Sequence, residues 1–147
     1  MARQTNMPSI LYGDCDESSQ NFVKEWLRTN VRGCSLTCAN NGSEASTNTK
    51  SRPFDLYLLD YCLGDMTAPE VCQILRKTDV TSPIVICSPF DREIDRTTAL
   101  EAGATDFIIK PAEFNRLATL IKSLSGVDSS RGKRRLFHPM RRSAAII

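Results

Sequence analysis

No stretch of this chain approaches the roughly 18 consecutive apolar residues that cross a bilayer, so no membrane-spanning helix is expected. The opening segment, Met1 to Pro8, is polar and lacks the apolar centre of a secretory signal. Histidine is almost absent, with His138 alone in 147 residues, and no Cys-x-x-Cys pair occurs, so the ligand spacings of structural zinc are missing. Six cysteines without a secretion signal are expected as reduced thiols in a cytoplasmic protein. Cys34 and Cys38 share a candidate strand, whose rise holds them roughly 13 Å apart, beyond disulfide reach. There is no Gly-x-Gly-x-x-Gly after the first candidate strand and no Gly-x-x-x-x-Gly-Lys-Ser/Thr anywhere, which argues against nucleotide binding by the usual phosphate loops.

What is present is an ordinary soluble composition, 41% hydrophobic and 24% charged, in a chain long enough for one domain with a buried core. The net charge of +2 conceals an asymmetry. Residues 1–125 carry 13 Lys and Arg against 16 Asp and Glu, a balance of −3. Residues 126–147 carry Arg131, Lys133, Arg134, Arg135, Arg141 and Arg142 against Asp128 alone, a balance of +5. The expected organisation is a mildly acidic domain over 1–125 and a basic flexible tail over 126–147. Nucleic-acid contact is expected from that tail if anywhere, and no membrane partner is expected.

Along the chain, strand and helix patterns alternate. Ser9 to Tyr12 reads as a first strand, followed by an acidic loop in which Asp16, Ser18 or Ser19 can cap a helix reaching about Asn30. Phe22, Val23, Trp26 and Leu27 form the core-facing stripe of that helix. Cys34 to Cys38 alternates as a strand near a sheet edge does, and a short helix is expected over Glu44 to Lys50 after the turn residues Asn40 to Ser43. Leu56 to Leu59 is a continuous apolar run ending in Asp60, the pattern of a strand buried on both faces. Pro69 opens a third helix with Val71, Cys72, Ile74 and Leu75 inward. Ile84 to Cys87 is a fourth strand, and a helix from about Asp91 or Arg92 to Ala102 stops at Gly103. Asp106 to Ile109 is a fifth strand. Phe114, Leu117, Ala118, Ile121 and Leu124 recur at helical spacing, and Gly126 closes that last helix. Five β-α repeats predict an α/β fold: a five-stranded parallel sheet in the flavodoxin-like order 2-1-3-4-5 with helices on both faces.

In that order the carboxyl ends of four strands bring Asp14, Asp60, Ser88 and Lys110 to one crevice. Taken singly, Asp60 reads equally well as a loop or helix cap. Four polar strand ends at once do not reduce to caps and turns. Two carboxylates, a hydroxyl and an ammonium suit phosphoryl transfer. A carboxylate can attack and form an acyl phosphate, while Lys110, a hydrogen bond from Ser88 and a hard divalent cation, Mg2+, balance the phosphoryl oxygens.

The segments Ile10-Leu11-Tyr12-Gly13-Asp14, Phe54 to Asp60, Pro83 to Ser88 and Ala99 to Pro111 together resemble the receiver domain of two-component response regulators, over roughly residues 8–125. The resemblance implies that Asp60 is the phosphoacceptor, fed by a histidine kinase or a histidine phosphotransfer protein. It implies metal contacts from Asp14, Asp60 and the backbone carbonyl of Cys62, a switch hydroxyl at Ser88, a phosphate-pairing Lys110 and a switch aromatic at Phe107. It also implies a cis Lys110-Pro111 bond, and a face made by the fourth helix, fifth strand and fifth helix that meets a downstream protein or a second copy. Such a domain accepts a phosphoryl group, and can lose it unaided, without being a turnover enzyme.

Three residues depart from the pattern the resemblance implies. Cys15 stands at the second acid position, where a thiol is a poor ligand for a hard cation, leaving Asp16 as a substitute or Mg2+ affinity weak. Pro89 stiffens the loop after Ser88, and Gly64 loosens the loop after Asp60. These departures admit an alternative, a degenerate receiver that binds a partner without phosphorylation. A further alternative is redox sensing through Cys15, Cys62 or Cys87, with Lys110 lowering a thiol pKa.

Overall fold

The computed structural model describes residues 7–51, 53–78 and 81–125. Its elements run β1 (Ser9–Gly13), α1 (Glu17–Asn30), β2 (Ser35–Ala39), α2 (Gly42–Ser51), β3 (Leu56–Asp60), α3 (Ala68–Lys77), β4 (Ile84–Ser88), α4 (Glu93–Glu101), β5 (Asp106–Ile109) and α5 (Phe114–Ser125). The strands form one sheet in the order β2-β1-β3-β4-β5, and every pairing is parallel. The expected fold and strand order therefore hold. The closing role of Gly126 and the character of the basic tail lie outside the described residues.

The period-two alternation of each strand divides the core. Leu11, Tyr57, Leu59, Ile84, Ile86 and Phe107 face one way and pack with Ala45, Val71, Cys72, Leu75 and Ala99 from α2, α3 and α4. Ile10, Tyr12, Leu56, Leu58, Val85, Cys87 and Ile108 face the other way and pack with Val23 and Leu27 of α1 and with Phe114, Leu117, Leu120 and Ile121 of α5. The three inner strands are apolar on both sides for this reason, while β2 at the edge is only partly covered.

Two details differ from the sequence reading. Phe22 was expected in the core, yet it is 50% exposed; its ring lies 6.2 Å from Phe114, at the rim of the α1–α5 contact. Helix α2 begins at Gly42, ahead of Glu44. Two groups hold that start: the Asn41 Oδ1 accepts from the Glu44 N–H at 2.8 Å, and the Asp65 carboxylate, remote in sequence in the loop after β3, accepts from the N–H groups of Gly42 at 2.7 Å and Ser43 at 3.0 Å. Those are donors that a helix start leaves without intrahelical partners. Glycine is required there, because a Cβ at position 42 would lie 2.7 Å from the Met66 Cβ.

Leu58 is fully buried in the centre of β3. Leu58→Ala is expected to lower stability by about 2–5 kcal/mol, the usual range for such a cavity, read as an earlier urea midpoint with an unchanged slope.

Candidate functional site

Asp14 follows β1, Asp60 is the last residue of β3, Ser88 the last of β4, and Lys110 follows β5. Because the strands are parallel, all four lie at one edge of the sheet. Asp14 is 1% and Asp60 8% exposed. The Lys110 Nζ sits 2.5 Å from the Asp60 Oδ1 and 3.3 Å from the Asp14 Oδ2. One ammonium thus serves two buried carboxylates. The Asp60 Oδ2 accepts from the backbone N–H of Cys62 at 3.3 Å, whereas Oδ1 takes no aligned hydrogen bond and has the Lys110 ion pair.

Asp14 is held on every side. Its Oδ1 accepts from the Asp16 N–H at 2.9 Å. Its Oδ2 accepts from Lys110 and from the phenol of Tyr12. Its carbonyl accepts from the Gln20 side chain at 2.6 Å. Tyr12 lies two residues back in β1, and the strand period puts its ring on the α1–α5 side, with the hydroxyl reaching the carboxylate. The sequence reading took Tyr12 as one more apolar strand residue. The i, i+2 spacing from Asp14 was the available signal.

Burial pushes the Asp60 carboxyl above the usual range and outweighs the lowering by Lys110, while Asp14 adds to the rise. Burial works against the Lys110 ammonium, but Cys87, Asp60 and Asp14 together hold its pKa above the ordinary value. The Cys87 thiol is itself driven up, by burial first and Asp60 next. The Tyr12 phenol is also raised, by burial and then by Cys87 and Asp14, so it remains a proton donor. Cys15 is raised by desolvation, then Cys62 and Asp14. At Cys87 burial and the neighbouring acids outweigh the lowering by Lys110, and at Cys15 burial, Cys62 and the acids raise the thiol, so neither is activated as the redox alternative expects.

The remaining expected residues are placed as follows. The Ser88 hydroxyl accepts from the Phe90 N–H at 3.1 Å, turned into the β4–α4 loop. Phe107 is fully buried, edge-on to Tyr61 at 6.4 Å, with the Arg96 guanidinium 5.0 Å over its ring. Arg96 also donates to the Phe107 carbonyl at 3.2 Å. Arg96 and Tyr61 escaped the sequence reading, since an arginine on α4 carries no local sign of stacking on a strand residue. The Lys110-Pro111 bond is cis.

The family model of the response regulator receiver domain matches residues 10–122. The chain belongs to this family. Response regulator ArlR of Staphylococcus epidermidis is 29% identical over 119 residues, covering 80% of this chain and 52% of the relative. A two-component response regulator from Clostridium difficile is 28% identical with a TM-score of 0.71, covering 80% of this chain and 94% of that one. TrrA of Thermotoga maritima, solved in complex with Mg2+–BeF, is 25% identical with a TM-score of 0.70, covering 80% and 99%. The chain spans about half the length of the curated relatives it matches. Receiver domains are signalling modules rather than turnover enzymes, and they interact with histidine kinases or phosphotransfer proteins. No helix among the described residues is long and apolar enough to cross a membrane.

Receiver domains typically bind Mg2+. In this receiver the donor set does not suit a hard cation. Position 15 supplies a thiol, and that thiol donates to the Cys62 carbonyl at 3.4 Å. Asp16 is occupied as the cap of α1, its Oδ2 accepting from the Ser19 N–H and hydroxyl, both at 2.9 Å. Both oxygens of Asp14 already accept hydrogen bonds. Among the described residues no group of three His, Cys, Asp or Glu is arranged to hold a metal ion.

The raised pKa of Asp60 has a consequence for stability. Folded Asp60 holds its proton more tightly than the unfolded residue, so stability falls as pH rises from the ordinary Asp value, about 3.9, through the folded one. Asn cannot ionise. Asp60→Asn is therefore expected to be more stable than the wild type at neutral pH, with the advantage shrinking as the pH falls towards about 4, measured by urea unfolding across that range.

Proposed function

We propose that this chain is a signal-receiving domain in which Asp60 accepts a phosphoryl group from a phosphohistidine on a cytoplasmic histidine kinase or phosphotransfer protein. A carboxylate oxygen of Asp60 would form the new O–P bond while the N–P bond of the donor breaks and the imidazole departs with a proton. The observation that carries this reading is the Asp60 carboxylate itself, buried at the strand edge with Oδ1 2.5 Å from the Lys110 Nζ and no aligned hydrogen bond. A phosphoryl group placed there brings negative charge against a fixed cation, and preorganised charge of that kind supplies much of the catalysis.

In the same proposal Ser88 leaves the Phe90 N–H to donate to a phosphoryl oxygen, and Phe107 changes rotamer. Phe107 moves against the Arg96 stack, so the change is felt on α4. Phe90 and Ile94, 56% and 69% exposed beside and on α4, leave apolar surface at α4 for the downstream protein or second copy expected at the α4–β5–α5 face. Ser88, Phe107 and that face are the switch; Asp60 and Lys110 are the chemistry.

A second reading, constitutive binding without phosphorylation, is favoured by Cys15 at the second acid position and by the full set of hydrogen bonds on Asp14. Treatment with phosphoramidate or acetyl phosphate, with and without Mg2+ and read by intact mass, separates the two. One added phosphoryl group is expected on the wild type and none on Asp60→Asn. Lys110→Ala is expected to slow labelling by about 100-fold, the scale of removing one charge-stabilising group from an active site. No labelling under any condition would favour constitutive binding, and labelling that survives Asp60→Asn would mean another acceptor.

A further inference from the structure

We propose that Tyr12 is a positioning residue that, together with Lys110 and the Cys15 thiol, occupies the oxygens on the Asp14 side of the crevice with donors from the chain itself and holds Asp14 out of divalent-cation coordination, so that resting Mg2+ binding is feeble. The inference rests on the reading of Asp14 and Asp60 as the acid pair of the phosphoryl site.

The argument starts from the oxygens a hard cation would use. Mg2+ demands near-octahedral oxygen ligands at close range and sheds its water reluctantly. At the Asp14 Oδ2 such an ion meets two protein donors, the Lys110 ammonium at 3.3 Å and the Tyr12 hydroxyl. At the Cys62 carbonyl it meets the Cys15 thiol, donating at 3.4 Å. At position 15 itself there is sulfur, which a hard cation disfavours. Each oxygen on the Asp14 side of the crevice thus already carries a proton donor built into the chain.

Tyr12 differs from the other two donors in being unable to withdraw. Lys110 ends a flexible four-carbon stem, and Cys15 is exposed. Tyr12 is fully buried, its backbone is paired to β2 and β3 opposite Cys38 and Leu58, and its ring is packed with the α1–α5 core. Turning its hydroxyl away from Asp14 would leave a polar group in an apolar cluster. The phenol is therefore a fixed donor that a cation has to outcompete, not one it can push into solvent.

Calorimetric titration of the resting protein with MgCl2 tests this without any phosphodonor. The proposal expects no saturable binding by the wild type up to about 20 mM, since a site that keeps its own donors offers Mg2+ too few oxygens. Cys15→Asp is expected to create measurable binding. Adding Tyr12→Phe to it is expected to tighten binding by at least about ten-fold, the scale of one hydrogen bond no longer competing. A residue that merely fills the core would leave Mg2+ affinity unchanged when only its hydroxyl is removed. Saturable millimolar binding by the wild type, or a Tyr12→Phe/Cys15→Asp protein no tighter than Cys15→Asp alone, overturns the proposal. Should the double variant not fold, as judged by circular dichroism, Tyr12→Phe/Cys15→Glu is titrated against Cys15→Glu, and equal affinities overturn the proposal. Failure of Asp60 to accept a phosphoryl group leaves this titration untouched, so the two readings fail separately.

Discussion

A single half-buried ammonium shared by two buried carboxylates is the contact on which the candidate site at the carboxyl ends of the strands depends. Asp14, Asp60 and Lys110 come from three different strand ends, and the Lys110 Nζ lies within 3.3 Å of both acids. β5 is not next to β3, since β4 lies between them. The long stem of Lys110 spans that gap, which a shorter cation could not do. Buried charges persist only when paired, and taking Lys110 away would leave two acids uncompensated. The same bridge keeps Asp60 short of hydrogen bonds: its Oδ1 is satisfied by charge rather than by an aligned donor.

The two faces of the sheet support this edge differently. The α1–α5 side carries Tyr12 and Cys87 and braces the acids from below. The opposite side carries Phe107, clasped between Tyr61, the residue after Asp60, and Arg96 of α4. The backbone also ties the two regions together, because Lys110 N–H donates to the Ser88 carbonyl at 2.8 Å and Tyr61 N–H to the Cys87 carbonyl at 2.9 Å. A change of charge at Asp60 is therefore one residue from a ring that touches the α4 clasp. Small displacements in a close-packed core are passed on rather than absorbed.

The loops that frame the crevice are anchored by groups distant in the chain. Asp65 caps α2 across the β3–α3 loop, and Asp16 caps α1 directly after the acid loop. Both carboxylates answer N–H groups that helix starts leave open. In doing so they withdraw from the crevice acids that a sequence count would have placed there. The site is narrower in oxygen ligands than its acidic loops suggest.

Much of this protein was legible without coordinates. Apolar runs of three or four residues, each followed closely by a polar residue, located β1, β3, β4 and β5; helical spacing located α1, α3 and α5, and the stop at Gly103 bounded α4. Strand order followed from the β-α alternation, because parallel strands and right-handed crossovers leave few arrangements. That Asp14, Asp60, Ser88 and Lys110 lie at the same end of the sheet was legible because a strand's direction fixes which end its last residue occupies. Tertiary structure alone decided the rest. It exposed Phe22, moved the start of α2 to Gly42, raised rather than lowered the thiols Cys15 and Cys87, and turned Tyr12 from core filler into the partner of Asp14. Periodicity reports which face a residue lies on; which atom meets it there depends on chain segments brought together only by folding.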